Sequence, residues 1–293
     1  MHILFEPGFF SSSPVRTAVV MGAVTAIVSA IVGVFTVVRS QSFAGHALTD
    51  VATTGGSGAF FYGLSPLVGF IGAGVIGAGA MDLIGVQRAR SRDLATGIVL
   101  GAATGLAALF LFLDTTKSAT TGATQQILFG SIFTINPRVI PIAIFLSGVT
   151  LLLVGVIYRP LLLNSLNADL ASARGIGVRT VGLLFMFALA VSVALSSIAI
   201  GSILSTALLI GPAAAALRVT RTIGAAMVVA CILGVATTWL GILLSYDSYY
   251  WVSSGQGLPV SFFIVSIALL LYLVSGLPVI RRVVETGKLG TVA

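Results

Sequence analysis

Charge, cysteine and histidine are all scarce in this sequence. Of its 293 residues only 8% are charged, one is cysteine and two are histidine. The single cysteine, Cys231, excludes an intrachain disulfide and a cysteine-based metal cluster. The sequence contains no glycine-lysine-serine phosphate loop and no serine with a histidine partner. We therefore expect neither a nucleotide site of that kind nor a hydrolytic centre.

Hydrophobic residues take the place of the missing charge. They make up 57% of the chain, and the mean hydropathy is +1.13. This composition excludes a soluble domain of this length and is typical of a polytopic membrane protein. We therefore expect the lipid bilayer to be one of its partners. The formal net charge of +7 is scattered between apolar runs, which indicates a topology signal and no nucleic-acid partner.

Long apolar runs predict an all-α fold of eight to nine transmembrane helices within one transmembrane domain, residues 1–293. Ala18–Val38 has no charge and as a helix would extend about 31 Å, enough to cross a hydrocarbon core of about 30 Å. Pro212 interrupts the run Gly201–Leu217, which predicts two half-helices or a re-entrant hairpin there. The other predicted apolar spans are Leu64–Met81, Leu94–Leu113, Val139–Ile157, Val181–Ser197, Ala225–Ser245 and Val260–Val279.

The positions of arginine and lysine predict the orientation, because short loops rich in these residues stay on the cytoplasmic side. Between Arg39 and Arg88 there is one obvious apolar run, although two cytoplasmic loops must be separated by an even number of crossings. The missing crossing must be the polar stretch Ser42–Gly63. The same count places the N-terminus outside and the C-terminus in the cytoplasm. The basic loops used are those at Arg39, Arg88–Arg92, Arg159–Arg179, Arg218–Arg221 and Arg281–Lys288.

The stretch Ser42–Gly58, SFAGHALTDVATTGGSG, holds the two residues that we predict to bind a metal ion. His46 and Asp50 are four residues apart, so they project from one face of a helix and can share a cation. An imidazole and a carboxylate together suit zinc, manganese or ferrous iron. Ionisable groups in hydrocarbon are costly unless they serve a pathway or a ligand, which favours a transport site. The alternative is an extracytoplasmic loop in which the pair is simply solvated.

Other residues of this stretch predict how the metal site would be completed. Gly55 and Gly56 predict a break in the segment, and backbone carbonyls freed there, water or a symmetry mate would supply further ligands. Thr49, Thr53 and Thr54 are candidates to hydrogen-bond the ligands, although threonine in a membrane helix more often bonds its own backbone. Since histidine coordinates a metal only when unprotonated, transport is expected to fall on acidification.

Most of the remaining charged residues are predicted to lie outside the hydrocarbon. Asp82 ends a span on the cytoplasmic side, and Asp114, Lys117 and Asp247 lie beyond the ends of other spans. We interpret all four as topology and solvation groups.

The longest polar interval, Tyr158–Thr180, predicts a docking element. Asn167 is placed to cap a short amphipathic helix over Ala168–Ala173, which Gly175 and Gly177 would stop. Such a helix on the cytoplasmic face has the shape expected of a contact for a soluble partner. A plain connecting loop with a surface helix is the alternative.

With these residues placed, the chain resembles the membrane permease subunit of the ABC importers for manganese, zinc and iron, the ABC-3 family. The family commonly has its aspartate first and its histidine four residues later, whereas here His46 precedes Asp50. This order keeps both ligand types on one helix face and changes their depth. The likeness extends nearly end to end, in RSQSFAGHALTD (Arg39–Asp50), ILFGSIF (Ile127–Phe133), YRPLLLNSLNADLASARGIGV (Tyr158–Val178) and GSILSTALLIGPAAAALRVTR (Gly201–Arg221).

The resemblance implies a mechanism and a set of partners in a prokaryotic cell membrane. The permease would pair with a second copy, receive its ion from an extracytoplasmic metal-binding protein and be driven by a cytoplasmic ATP-binding-cassette ATPase. Residues 158–180 would form the ATPase-coupling loop, in which Asp169, Ala171, Gly175 and Gly177 carry the implied contact. The chain would itself be no enzyme and hold no permanent cofactor, since manganese, zinc or iron would be its cargo.

Three other functions stay open at this point. A proton-coupled secondary metal transporter would use Asp50 as its proton carrier and need no ATPase. An ABC permease for a larger ligand, such as a siderophore or cobalamin, would have an aromatic-lined cavity and tolerate His46→Ala. A structural membrane subunit without a path would tolerate an apolar residue in place of Asp50.

Overall fold

Helices form every regular element of the residues that the computed structural model describes, which are 9, 11–84, 92–117, 121–130, 132–251 and 257–277. A short 3₁₀ turn at Ile132–Thr134 separates the fifth helix from the sixth. The predicted all-α fold is confirmed. In chain order the helices are α1 (Ser13–Val38), α2 (Ser42–Phe61), α3 (Pro66–Ile84), α4 (Arg92–Lys117), α5 (Thr121–Phe129), α6 (Val139–Leu166), α7 (Ala168–Ala173), α8 (Val178–Ile200), α9 (Ser202–Val219), α10 (Ile223–Trp251) and α11 (Val260–Ser275).

Seven helices of the described chain are long and apolar enough to cross a membrane, namely α1, α3, α4, α6, α8, α9 and α10. Helix α2 has 20 residues and therefore sufficient length, but it is more polar than these seven. Helix α11 is apolar and shorter, with 16 residues. With these two added, the described part of the chain supplies nine helices for the bundle, within the predicted range.

Pro212 does not divide α9. The helix is continuous from Ser202 to Val219, with Pro212 buried inside it, so the expectation of two half-helices or a hairpin is corrected. An internal proline removes one backbone hydrogen bond, and the helix persists only where its surroundings support it. Here α1 packs directly on α9, since a Cβ at Gly33 would collide with the carbonyl oxygen of Leu209.

Contacts between helix ends show that α1, α3 and α6 finish at the same end of the bundle. Arg39, which follows α1, lies 5.4 Å from the Phe185 ring centroid in α8 and donates to the Ser165 hydroxyl in α6. Asp82, near the end of α3, forms a 3.1 Å ion pair with Arg179 at the start of α8. Because α1 and α3 both end here, α2 must run to the opposite end, and its 20 residues extend about 30 Å. The polar stretch thus forms a helix that runs between the two ends of the bundle, and its crossing of the membrane stays a prediction.

We call this end the basic end, defined by Arg39, Arg179 and Arg218. The opposite end, which we call the aromatic end, carries Tyr62 after α2 and Tyr249 in the last turns of α10. The predicted basic loops at residues 88–90 and 281–288 lie outside the described residues, as does the C-terminus.

Helices α1 and α8 form the centre of the bundle, and α4 and α6 its periphery. In the most apolar window of each helix, 67% of α1 and 72% of α8 is buried, against 17% of α4 and 28% of α6. Phe35 and Phe185 pack edge to face at the α1–α8 contact, 6.3 Å apart, and both are fully buried. The exposed sides of α4 and α6 are therefore available to lipid or to another protein chain.

Candidate functional site

Helix α2 carries the polar residues of interest and packs against α3, α4 and α8. It is continuous through Gly55 and Gly56, so the break predicted there is wrong, and carbonyls freed by these glycines are not part of the site. The glycines serve packing instead. A Cβ at Gly55 would collide with the backbone of Gly69 in α3, and the Phe70 ring covers Gly56.

His46 and Asp50 lie one turn apart on the same face of α2, and both are partly exposed. The Thr104 hydroxyl of α4 donates a hydrogen bond of 2.5 Å to Oδ2 of Asp50. An ionised carboxylate has about four lone-pair positions, so Asp50 keeps capacity for a cation beside this bond. The structure therefore brings both predicted metal ligands to a polar face that α2 shares with α4.

The three threonines predicted to support the ligands differ in the groups that their hydroxyls contact. The hydroxyls of Thr49 and Thr53 bond backbone carbonyls of their own helix, one turn earlier, and so do not touch the two ligands. The Thr54 hydroxyl lies 2.7 Å from the carbonyl oxygen of Ala103 in α4 and 3.0 Å from that of Asp50. Thr54 thus ties α2 to α4 beside the candidate site.

Thr104 is the site residue that the sequence prediction missed. It stands in a run of small and apolar residues that was read only as a membrane span. An isolated hydroxyl in such a run is the one signal available, and it does not indicate a partner 54 residues earlier in the chain.

Across the described residues, no group of three or more His, Cys, Asp and Glu side chains comes together. His46 and Asp50 thus offer two such ligands from one chain. Structural zinc sites use about four protein ligands, and catalytic sites about three plus water. A two-ligand arrangement suits an ion that is bound weakly and released.

Three carboxylates predicted to be solvated are in fact buried. Asp82, Asp114 and Asp247 are 7%, 2% and 0% exposed. Asp82 pairs with Arg179, whereas neither oxygen of Asp114 has a hydrogen-bond partner in the described part of the chain. The solvation interpretation is wrong for all three, because α3, α4 and α10 continue past the predicted spans and pack Asp82, Asp114 and Asp247 against neighbouring helices. The side chain of Lys117 lies outside the described part.

The short helix α7 has the predicted form. The Asn167 side chain caps it by accepting a 2.9 Å hydrogen bond from the backbone N–H of Leu170. After Ala173 the chain reverses at Gly175, whose φ of 76° is in the left-handed region. The N–H of Ile176 then returns to the carbonyl of Ala171, 3.0 Å away, which closes the helix end.

The surface around α7 is partly apolar. Leu166 and Leu170 are 70% and 44% exposed, and Asp169 between them in the chain is exposed as well. Ala171 is fully buried beneath this surface, and Gly177 is the residue from which α8 starts. Exposed leucines at the basic end make a surface suited to contact with another protein.

Fold and site together define a class: a helical multi-pass membrane protein with a His/Asp pair on a crossing helix and a short surface helix at its basic end. The model of the ABC 3 transport family matches residues 12–277, and the chain belongs to that family.

The similarity to known proteins covers most of this chain and most of each relative. The chain is 28% identical over 247 residues to the manganese transport system membrane protein MntC of Listeria monocytogenes, covering 83% of this chain and 86% of that one. It is 29% identical over 254 residues to the chelated iron transport system membrane protein YfeD of Yersinia pestis, covering 84% and 82%. The solved structure of PsaBC from Streptococcus pneumoniae in complex with Fab contains a chain of TM-score 0.80 and 25% identity, covering 96% of this chain and 97% of that one.

Proposed function

We propose that this chain is the membrane permease subunit of an ATP-binding-cassette importer that moves a divalent transition-metal ion, manganese, zinc or iron, into the cytoplasm. Membership of the ABC 3 transport family supports this, as do relatives whose names state manganese and chelated-iron transport. The observation that carries the proposal is the His46/Asp50 pair on a helix that runs from one end of the bundle to the other.

His46 and Asp50 bind the ion in transit, and Thr104 holds the Asp50 carboxylate in orientation. The metal is cargo, and the proposal includes no resident cofactor.

A second copy of the chain covers the site. His46 and Asp50 are partly exposed and Thr104 is exposed on the single chain, so this polar face reaches its outer surface. A carboxylate and an imidazole facing lipid would be costly, and ionisable groups in membranes face a bundle interior or a cavity. Two copies that meet along α2 and α4 would enclose the ion path between them and could each contribute ligands.

The two ends of the bundle bind the other two partners, the ATPase and the metal-binding protein. At the basic end, the loop 158–180 contacts the cytoplasmic ATPase, which supplies ATP hydrolysis. Asp169, Gly175 and Gly177 lie at the exposed surface of this contact, and the buried Ala171 supports it from beneath. The exposed leucines around α7 support this contact. The aromatic end receives an extracytoplasmic metal-binding protein. With the basic end in the cytoplasm of a prokaryotic cell, the N-terminus lies outside and the C-terminus inside, and residues 1–293 form one permease domain.

Metal uptake into vesicles tests the proposal. Vesicles carrying this chain, its ATPase and its binding protein are supplied with radiolabelled manganese, zinc or iron, with and without ATP. We expect ATP-dependent accumulation of one metal, and its loss in both His46→Ala and Asp50→Ala while assembly with the ATPase persists. Ser42→Ala, one turn before His46 on the same helix, is the matched control and should keep normal uptake.

Uptake that survives both substitutions would contradict the proposed ion site. Uptake that a proton gradient drives without ATP would instead indicate the secondary transporter. Uptake of a metal chelate that is indifferent to His46→Ala would indicate the permease for a larger ligand.

A further inference from the structure

Asp114, near the aromatic end of α4, is a buried carboxylate that the proposed ion site does not use. It is 2% exposed, and both carboxylate oxygens are buried with no hydrogen-bond partner among the described residues. The ion pair between Arg179 and Asp82 does not involve Asp114. Buried polar atoms without a partner are rare in native proteins, because nothing compensates their desolvation. A bound cation or a proton would stabilise this carboxylate. Lys117, one turn later on α4, has a side chain outside the described part of the chain.

Asp114 lies near the aromatic end of α4, beside the end of α2. Helices α2 and α4 advance together toward the aromatic end, since Thr54 contacts Ala103 and, further along, the Phe61 and Phe110 rings lie 6.4 Å apart. Asp114 is one turn beyond Phe110, at the level where α2 ends. The C-terminal ends of α2 and α4, whose partial negative charge stabilises a cation, therefore lie near Asp114, and so does the N-terminus of α5, whose partial positive charge opposes one.

Helix α5 supplies a second polar group without a partner. Helices α4 and α5 pack together, and Leu111 and Ile127 belong to the same apolar cluster. Asp114 is three residues after Leu111, and Thr124 is three residues before Ile127, which places both one turn closer to the α4–α5 connection. The Thr124 hydroxyl oxygen is also buried with no hydrogen-bond partner in the described part of the chain. A carboxylate and a hydroxyl offer oxygen ligands for a divalent cation.

Asp114 lies on the same helix contact as the His46/Asp50 pair. It is ten residues beyond Thr104, the partner of Asp50, which corresponds to about 15 Å along α4. An ion that enters at the aromatic end therefore reaches the level of Asp114 before that of Asp50.

We propose that Asp114, together with Thr124, forms an outer cation site that holds the transported divalent metal ion before it passes to His46 and Asp50. The identity of this ion as the cargo rests on the proposed function. The two sites divide the crossing into an outer step at α4 and α5 and an inner step at α2.

Metal binding to the purified full chain, without ATPase, tests the outer site. Mn²⁺ binding is followed by electron paramagnetic resonance, with Zn²⁺ as a competitor. Asp114→Asn keeps the size of the side chain and removes its charge, and we expect it to weaken one Mn²⁺ site by about tenfold or more. Asp114→Glu should retain binding at this site. Asp93→Asn, an exposed carboxylate at the other end of the same helix, is the control and should leave binding unchanged.

The double variant His46→Ala/Asp50→Ala separates this inference from the proposed function. It should lose the inner site and keep the outer one. Unchanged Mn²⁺ binding in Asp114→Asn overturns the outer site, whether or not the double variant loses binding. Loss in Asp114→Asn alone, with full binding in the double variant, supports the outer site and contradicts the inner one. If Asp114→Asn fails to fold, Thr124→Val decides, since unchanged binding in that variant overturns the inference.

Discussion

A single hydroxyl group connects the candidate metal ligand Asp50 to a neighbouring helix. The Thr104 oxygen lies 2.5 Å from Oδ2 of Asp50 and 2.8 Å from the carbonyl oxygen of Leu100 in its own helix. A hydroxyl has one hydrogen to donate, and a bond to a carboxylate is stronger than one to a neutral carbonyl. Thr104 thus acts on the ion through Asp50, as a positioning residue.

Thr104→Val tests this role at the scale of one residue, because valine keeps the shape and lacks the hydroxyl. We expect the KM for metal uptake to rise by about tenfold, as for other residues that orient a metal ligand, with little loss of stability. The kinetics of uptake in vesicles provide the measurement. Thr116→Val on the same helix, whose hydroxyl bonds only its own backbone, is the matched control. Equal KM values for the two variants would show that Thr104 does not position Asp50.

At the scale of helices, the contact between α2 and α3 depends on a pair of glycines. The backbones of Gly55 and Gly69 approach so closely that a Cβ on either would collide with the other. Small residues at such contacts are typical of membrane helices, which associate by close packing rather than by the hydrophobic effect. Gly55, which suggested a broken helix, therefore allows α2 to pack closely against α3.

Gly55→Ala should separate α2 from α3 and lower the free energy of unfolding by about 1–3 kcal/mol, the usual cost of an overpacked contact. Thermal unfolding of the purified chain in detergent measures the change. The comparison is Gly72→Ala in α3, where an added Cβ meets nothing within 4 Å and should be neutral or slightly stabilising. The packing argument fails if the two variants unfold at the same temperature.

At the scale of the whole molecule, the ends of the bundle differ in chemistry. Arginines 39, 179 and 218 lie at one end, together with Tyr272, and tyrosines 62 and 249 lie at the other, together with Arg16 and Arg138. Short basic segments stay in the cytoplasm during insertion, and tyrosine is enriched at membrane interfaces. The two ends should therefore face different compartments, with α7 inside the cell.

Cysteine labelling in intact cells tests this orientation, in a background with Cys231→Ser. A membrane-impermeant maleimide should label Tyr62→Cys directly, because Tyr62 is 71% exposed at the aromatic end. Ser172→Cys, exposed on α7, should react only after the membrane is permeabilised. The reverse pattern would invert the molecule and contradict the proposed ATPase contact.

The sequence by itself determined the features that depend on a residue's own chemistry or its near neighbours. Apolar runs predicted the membrane helices, and charge parity predicted the crossing at Ser42–Gly63. The Asn167 cap and the turn at Gly175 could also be predicted from the sequence, because a cap and a left-handed turn are local structures. The pairing of His46 with Asp50 on one face follows from helix geometry alone.

Only the tertiary structure decided which contacts the glycine, proline and polar residues of those helices make. The unbroken course of α2 through Gly55 and of α9 through Pro212 depends on neighbouring helices that local propensity does not include. The contacts of Asp50 with Thr104 and of Asp82 with Arg179 join residues 54 and 97 positions apart. Burial of Asp114 follows from the packing of α4 with α2 and α5. Such contacts leave no periodic or compositional pattern, because they arise only once separate helices have packed together.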